Sequence, residues 1–413
     1  MLINIVFSSK LKANVFSIIE SIELSLNEPI ADFHLKIFIF DKTPKQDVFS
    51  MMDGSKLNIT VISLTEIYKL EEQYLTLFEK ANCSRNHDSI QRARIQQQIY
   101  ILENISLFKD SIVWQVDDDM LFAKSNFSNN NHETENSNKI FSDLVEFYKT
   151  NSNVDAIIAP STYVPPIPSL LYCETQLNDI FNLTFSKESS EILEYHDFYN
   201  QDKNNLFYSI LLDEGKSKNE LVKNILIGKP VTKVSHGISS STNFNSNLLR
   251  GGNFIVFNTD IFSIPHLGFI ENQEIPARRS DMIHARLVDE LGYEIIDNSE
   301  FSLVHNRNFE NIKFEDCVKD YFSDMIGSLL TQYVYKGESY FKERLQFHQN
   351  HIKRILNLLF ENVDINEIKD EIFALEKLYH QINQLDKQHF ISQFESFKEH
   401  KEQLKNNLCK LVS

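Results

Sequence analysis

The chain has 413 residues, 42% hydrophobic and 24% charged, a composition that fits one large folded domain with an appendage, or two domains. Its net charge of −17 excludes a nucleic-acid binder, which needs a basic stripe to meet phosphates, but not an anionic nucleotide held through a metal and a few arginines. The cysteines Cys83, Cys173, Cys317 and Cys409 are far apart and form no C-x-x-C pair, so neither a zinc site nor a disulfide framework is signalled. A reducing compartment is expected. The N-terminus lacks a basic region, its apolar run is too short for a signal peptide, and no stretch reaches the length of a membrane span. The expected location is therefore the cytoplasm.

Residues 2–7 read as a buried strand that ends at Ser8-Ser9. Val15, Ile18, Ile19, Ile22 and Leu26 then fall on one face of a helix. Leu35 to Asp41 is a second strand, ending in an acid, and Leu57 to Leu64 a third. This β-α-β-β order reads as a nucleotide-binding α/β unit with a parallel sheet. Ser89 to Glu103 is a helix, with Ile95, Ile99 and Leu102 on one face and Arg92 and Arg94 near its start. The helix dipole disfavours cations there. Either both arginines are surface charges or a phosphate or carboxylate lies nearby.

The strand Ile112 to Val116 runs directly into three carboxylates, Asp117, Asp118 and Asp119. The C-terminal ends of strands are where open α/β sheets bind ligands. Three adjacent carboxylates repel one another unless something positive sits among them. If strand geometry persists, Asp117 and Asp119 point to one side and Asp118 to the other. If the strand twists or ends early, Asp118 replaces either. Oxygen ligands beside an open site suit Mg²⁺ or Mn²⁺ better than zinc. The bland alternative is a solvated acidic turn.

Ser125 to Lys139 is rich in Asn and lacks periodicity, which predicts a mobile loop. A helix over Ile140 to Thr150 leads into the strand Asp155 to Ala159. Residues 161–249 open with Pro165, Pro166 and Pro168, which break regular structure, and carry scattered aromatics. They read as an acceptor-side insertion or as the ordinary core of a subdomain. Arg250-Gly251-Gly252-Asn253 precedes the strand Phe254 to Phe257, and paired glycines let backbone approach a ligand closely. Asp281 lies where a helix begins, as an N-terminal acid or a catalytic base. Ile295 to Asp297 and Phe301 to Val304 are short strands, the second running into His305-Asn306-Arg307.

From Lys313 onward the pattern is helical. Asp364-Ile365-Asn366-Glu367 is a capping box, and Ile365, Ile368, Ile372, Leu375, Tyr379, Ile382 and Leu385 recur at helical steps. Another amphipathic stretch runs from Phe390 to Leu411. These stripes require burial against the α/β domain, each other, or a second protomer in a homodimer.

Taken together, these elements resemble the signature set of GT-A-fold glycosyltransferases, broadly those of family 2. Asp117-Asp118-Asp119 matches the DxD motif. Arg250-Gly251-Gly252-Asn253 matches the glycine-rich loop, and Arg279-Ser280-Asp281 the "xED" element with Ser280 in place of the usual acid. His305 matches a C-terminal metal-binding histidine, and the helix with Arg92 and Arg94 resembles the segment before DxD. The resemblance covers residues 1–310, within which 161–249 would be the acceptor-side insertion, and leaves 311–413 as an α-helical extension. It implies a mostly parallel Rossmann-type α/β sheet flanked by helices. It implies a nucleoside-diphosphate sugar as donor, UDP-linked by preference, and a glycan, lipid-linked glycan or protein as acceptor. Mn²⁺ or Mg²⁺ would be held by Asp119, Asp117 and His305. Arg92, Arg94, Asp117, Asp118, Gly251, Gly252 and Arg307 would bind the donor, with Asp281 as the base of an inverting transfer. The alternatives are a nucleotidyltransferase, disfavoured because Ser8-Ser9-Lys10 lacks the glycines of its phosphate loop, and a non-catalytic metal-binding module.

Overall fold

The computed structural model describes residues 1–26, 33–43, 56–74, 89–128, 131–165, 167–182, 207–209, 216–235, 252–268, 278–385, 387–390, 395, 397–399 and 401–403. Arg250, Gly251, Cys83, Cys409, the polar run from Ser239 to Asn247, and most of the stretch from Phe390 to Leu411 lie outside the described residues.

Apolar, β-branched runs form the central sheet. Its strands are β1 (Leu2–Ser9), β2 (His34–Asp41), β3 (Asn58–Ile62), β4 (Ser111–Val116), β8 (Ala156–Ile158), β12 (Asn253–Val256) and β13 (Ile295–Asp297), in the order β13-β8-β12-β4-β1-β2-β3. All neighbours are parallel except β12, which is antiparallel to both β4 and β8. Alternation along β1 serves two cores. Ile3, Ile5 and Phe7 pack on one face with α1 (Lys12–Ser25) and α4 (Ile140–Thr150), while Val6 joins the opposite face. That face is covered by α2 (Leu64–Gln73) and α3 (Ile90–Glu103), each with a serine cap, Ser63 and Ser89. In α3 the buried apolar residues are Ile95, Ile99 and Ile101; Leu102 is exposed, contrary to the sequence expectation.

A second sheet orders β10 (Phe207–Ser209), β11 (Lys233–Ser235), β9 (Ser161–Tyr163), β14 (Leu303–His305) and β5 (Met120–Leu121). Its register sets His305 opposite Met120, directly after the three aspartates. The Asn-rich stretch expected as a loop instead forms the antiparallel pair β6 (Ala123–Ser128) and β7 (Asn131–Asn136). The prolines likewise do not prevent helix formation. α5 (Ser169–Asn182) begins just after Pro168, an N-terminal position where a missing N–H costs nothing. It is followed by α6 (Lys218–Leu226).

The C-terminal helices complete the larger core. The helix α7 (Ser280–Glu290) leads to β13, and α8 (Phe314–Lys336), α9 (Glu338–Asn362) and α10 (Lys369–Asn383) bury their apolar stripes against one another and α5. Asp364 caps a 3-10 turn, Ile365–Ile368, rather than the α-helix itself, and Ile365 is exposed. The expected mixed α/β architecture with a helical C-terminal extension is met, and the helical stripes are buried within the chain. Among the described residues, no helix is long and apolar enough to cross a membrane.

Candidate active site

The chain connects β1, β2 and β3 towards one edge of the sheet, while β4 lies on the other side of β1. The crevice at the C-terminal ends of β1 and β4 is therefore the topological switch point. Ser9 from β1 and the three aspartates from β4 meet there. β4 ends at Val116, and the Met120 N–H bonds the Asp117 carbonyl at 3.2 Å, so residues 117–120 turn instead of continuing as a strand. The expected pairing of Asp117 and Asp119 on one side does not form. The carboxylates fan out in three directions.

Asp117 Oδ1 accepts from Arg94 Nη2 at 2.8 Å. Asp118 Oδ2 accepts from Ser9 Oγ at 2.5 Å and Asn14 Nδ2 at 3.2 Å. Asp119 Oδ2 stands 3.0 Å from His305 Nε2. Burial raises Asp117 to about 7, Arg94 opposing and Asp119, Asp281 and Asp118 reinforcing, although a third of its side chain stays open to solvent. Burial and the Asp119 charge raise Asp118 to about 6, against the bonds from Ser9 and Asn14. Asp119 moves the other way: burial would raise it, but His305 and Arg307 hold it below the usual carboxylate range.

His305 Nδ1 donates to the Val164 carbonyl at 3.0 Å, and Nε2 donates to Asp119 Oδ2 at 3.0 Å, a proton that a cation bound between the two would replace. Burial would lower its pKa, but the Asp119 carboxylate and the Val164 carbonyl raise it. An imidazole oriented by a backbone carbonyl, with its other nitrogen at a carboxylate, is the donor chemistry of a divalent-cation site. Among the described residues no group of three or more His, Cys, Asp or Glu side chains converges as a ready cage. Asp119 and His305 form the pair, and Asp117 is turned to Arg94. The fit to Mn²⁺ or Mg²⁺ thus rests on two protein ligands, which suits a cation that also takes oxygens from a bound phosphate.

Arg94 is 3% exposed and reaches two acids, Asp117 and, from Nε at 3.6 Å, Asp281 Oδ1. Its position early in α3 is thus explained by nearby carboxylates. Asp281 lies in the first turn of α7, after Arg279 in the left-handed region at φ 96°. Burial would raise the Asp281 carboxyl, but His266 and Arg94 hold it far below the usual range, so it is ionised. The bend before α7 is seated on α8. The Arg278 N–H bonds the Ser323 carbonyl at 3.1 Å, and Arg279 pairs with buried Asp324 at 2.8 Å. A Cβ on Gly327 would stand 2.0 Å from the Arg278 carbonyl oxygen, so only glycine admits this approach.

Gly252 has the same role opposite the aspartates. A Cβ there would lie 2.7 Å from Asp117 Oδ2, and the Gly252 carbonyl accepts from the Asp117 N–H at 3.0 Å. Gly251 lies outside the described residues. Arg92 turns away from the aspartates and pairs with Glu71 of α2, Nη2 to Oε2 at 2.7 Å. Arg307 lines a cleft of about 420 Å³ with Asp118, Asp119, Asn14, Lys229 and Asn306, and also reaches Asp320 at 3.6 Å. Residues not singled out from sequence also shape the site. Gln97 bonds Ser8 at 2.9 Å and accepts from Gln115 at 3.0 Å. His266 and Lys229 carry no sequence signal; each sits in a short, aperiodic segment.

No protein-family model matches the chain, and no curated protein matches it in sequence. Solved structures similar to it include a mannosyltransferase from Pyrobaculum calidifontis in complex with GDP-Man and Mn²⁺, with 9% identity over 99% of this chain and 78% of that one and a TM-score of 0.36. Residues 1–349 of TarS from S. aureus in complex with UDP-GlcNAc show 10% identity over 98% of this chain and 92% of that one, with a TM-score of 0.34. Core-mannan synthase A from Aspergillus fumigatus, in an Mn/GDP form, shows 12% identity over 79% of this chain and 71% of that one, with a TM-score of 0.25. These similarities are distant, and the chemistry of the site stands on its own residues.

Proposed function

We propose that the chain is a metal-dependent glycosyltransferase of GT-A type that moves a sugar from a nucleoside-diphosphate sugar to an acceptor hydroxyl. One observation carries the reading. At the switch point of the sheet, the Asp119–His305 pair lies beside Asp117, and Arg94 joins Asp117 to the ionised Asp281. The metal end and the base end of a transfer site are thus linked through one buried guanidinium.

In this reading residues 1–310 form the catalytic domain, 161–249 contribute the acceptor side, and 311–413 support it. Asp119 and His305 would hold Mn²⁺ or Mg²⁺, with Asp117 joining them only by turning from Arg94, and the cation would supply charge neutralisation for the leaving diphosphate. Arg307 adds charge-assisted hydrogen bonds to the same phosphates. Asp118, held by Ser9 and Asn14, would bind the donor through its ribose or a metal-bound water. Gly252 keeps the backbone low beside Asp117. Asp281 accepts the proton of the acceptor hydroxyl as that oxygen attacks the anomeric carbon, a single displacement with inversion. The acceptor class is a glycan, lipid-linked glycan or protein, and the compartment is the cytoplasm.

A thermal-shift panel of UDP, GDP, UDP-GlcNAc and GDP-mannose, with and without Mn²⁺, tests the reading. Stabilisation by one nucleotide class only in the presence of metal is expected; a flat panel overturns it. Asp119→Asn should weaken that metal-dependent shift. Asp281→Asn should keep it while lowering turnover by at least about 10²-fold; full activity would remove Asp281 as the base.

A further inference from the structure

We infer that His266 is the positioning residue of Asp281, clamping one carboxylate oxygen so that the other is presented to the acceptor. The inference deepens the proposed function and rests on Asp281 being its base. His266 follows the 3-10 turn Thr259–Ser263 and is 3% exposed. Its Nδ1 stands 3.3 Å from Asp281 Oδ1, and neither ring nitrogen has a hydrogen-bond partner of good geometry. A buried N–H left without an acceptor keeps its full desolvation penalty, so a ring in this place needs the carboxylate beside it.

What holds the ring is a polar stripe on α3. Gln91 Nε2 donates to the His266 carbonyl at 2.9 Å, and Gln98 Nε2 donates to the Ile264 carbonyl at 2.7 Å. Because that Gln98 atom faces a carbonyl, it is the amide nitrogen. Its second hydrogen then points to His284 Nε2, 3.3 Å away, which must be the unprotonated nitrogen of a neutral ring. His284 in turn stacks flat on His266, centroids 3.9 Å apart and planes within 9°. Two rings so close stack without charge repulsion only if at least one is neutral, and Gln98 makes His284 that one. The stack fixes the plane of His266, with Nδ1 3.3 Å from Asp281 Oδ1.

Arg94 Nε approaches the same Oδ1 at 3.6 Å. Both cationic and imidazole contacts thus fall on Oδ1, which is shut from solvent, while the Asp281 side chain as a whole is 19% exposed. The open face of the carboxylate is therefore on the side of Oδ2, the atom assigned to take the acceptor proton. Residues 91, 94 and 98 of one helix face govern this orientation.

The test combines two readouts. With ¹⁵N-labelled histidine, long-range proton–nitrogen spectra should show His266 protonated at Nδ1 alone, and Asp281→Asn should shift that signal. Turnover is read as nucleoside diphosphate released from the sugar nucleotide that stabilises the chain in the panel above, with water as acceptor. His266→Phe, which keeps a stacked ring without the N–H, should lower kcat on the order of 10²-fold while the donor KM moves less than about 3-fold. His266→Asn, whose amide N–H reaches the place of Nδ1, should recover kcat to within about 10-fold of the starting chain. Unchanged kcat in His266→Phe, no recovery in a folded His266→Asn, or a His266 protonated at Nε2 each overturns the proposal. If the unsubstituted chain turns over no sugar nucleotide, the transferase reading fails, and the ring-nitrogen spectrum alone decides the His266–Asp281 pairing.

Discussion

The aspartates after β4 and Glu174 in α5 put the same functional group into two settings. Glu174 is enclosed by partners: Oε2 meets His351 Nδ1 at 2.8 Å, Oε1 meets Arg354 Nε at 2.9 Å, and the far nitrogen of His351 is taken by the Leu170 carbonyl at 2.6 Å. Burial would raise its pKa, but His351 and Arg354 together lower it. Asp117 and Asp118 have fewer partners than their burial demands and are both raised. In the helical layer, polar groups are satisfied within the chain and fasten α9 to α5. At the strand end they are left short of positive charge, which a ligand can supply. Incomplete satisfaction is costly to the fold and marks the place where binding returns the energy.

The contrast can be broken most strongly from the satisfied side. Glu174→Ala leaves Arg354 and His351 without their carboxylate and should cost ~3 kcal/mol or more of stability, measured by chemical denaturation, with no change in nucleotide response beyond that loss. An intermediate effect is expected from Gly252→Ala. Its new Cβ must displace the Asp117 carboxylate, 2.7 Å away, or the Met120 methyl, 3.1 Å away. About 1–3 kcal/mol of stability should be lost, and the metal-dependent thermal shift should shrink. An intact shift would show that Asp117 moves aside without consequence.

The smallest effect is in the pH dependence, where the two regions have opposite sign. Glu174, with a depressed pKa, contributes stability that is complete above its usual value of 4.5 and is lost as pH falls through the lower folded value. Asp118, raised from 3.8 to about 6, is protonated in the folded chain where the unfolded chain is ionised, so stability falls as pH rises across that interval. In metal-free buffer, Asp118→Asn should make the decline between those values shallower, leaving the share of Asp117 and the acid limb, whereas Glu174→Gln should flatten only the acid limb. Identical profiles for both substitutions would erase the distinction between the regions.

The outline of the sheet and the location of the site were legible because strand-forming runs ending in acids or a histidine are local signals. Asp117–Asp119, His305 and Asp281 all stand at element ends, where side chains leave the core. The direction of each carboxylate was not legible, because one backbone bond, Met120 N–H to the Asp117 carbonyl, decides between strand and turn. The polar pairing of β6 with β7 has no apolar alternation to betray it. Pro168 reads equally as a breaker and as the lead-in to α5. The working face of α3 consists of Gln91, Arg94 and Gln98, all buried and polar, which a search for hydrophobic periodicity treats as exposed surface. Its apolar face was misjudged for a related reason, since Leu102 faces water and Ile101 the core.

Gly327 gives the seat of Asp281 an order in time. The bend at Arg278 and Arg279 rests on α8 through Ser323, Asp324 and the missing Cβ of Gly327. During synthesis the chain leaves the ribosome N-terminus first, and local units fold as they emerge. The strands β1, β2 and β4 and the three aspartates are available long before α8 exists. The seat of Asp281 must therefore wait until residues around 327 have emerged and docked. Completion of the site is thus coupled to completion of the helical layer, and a nascent chain stalled before α8 would carry the carboxylate cluster without its counterpart across the crevice.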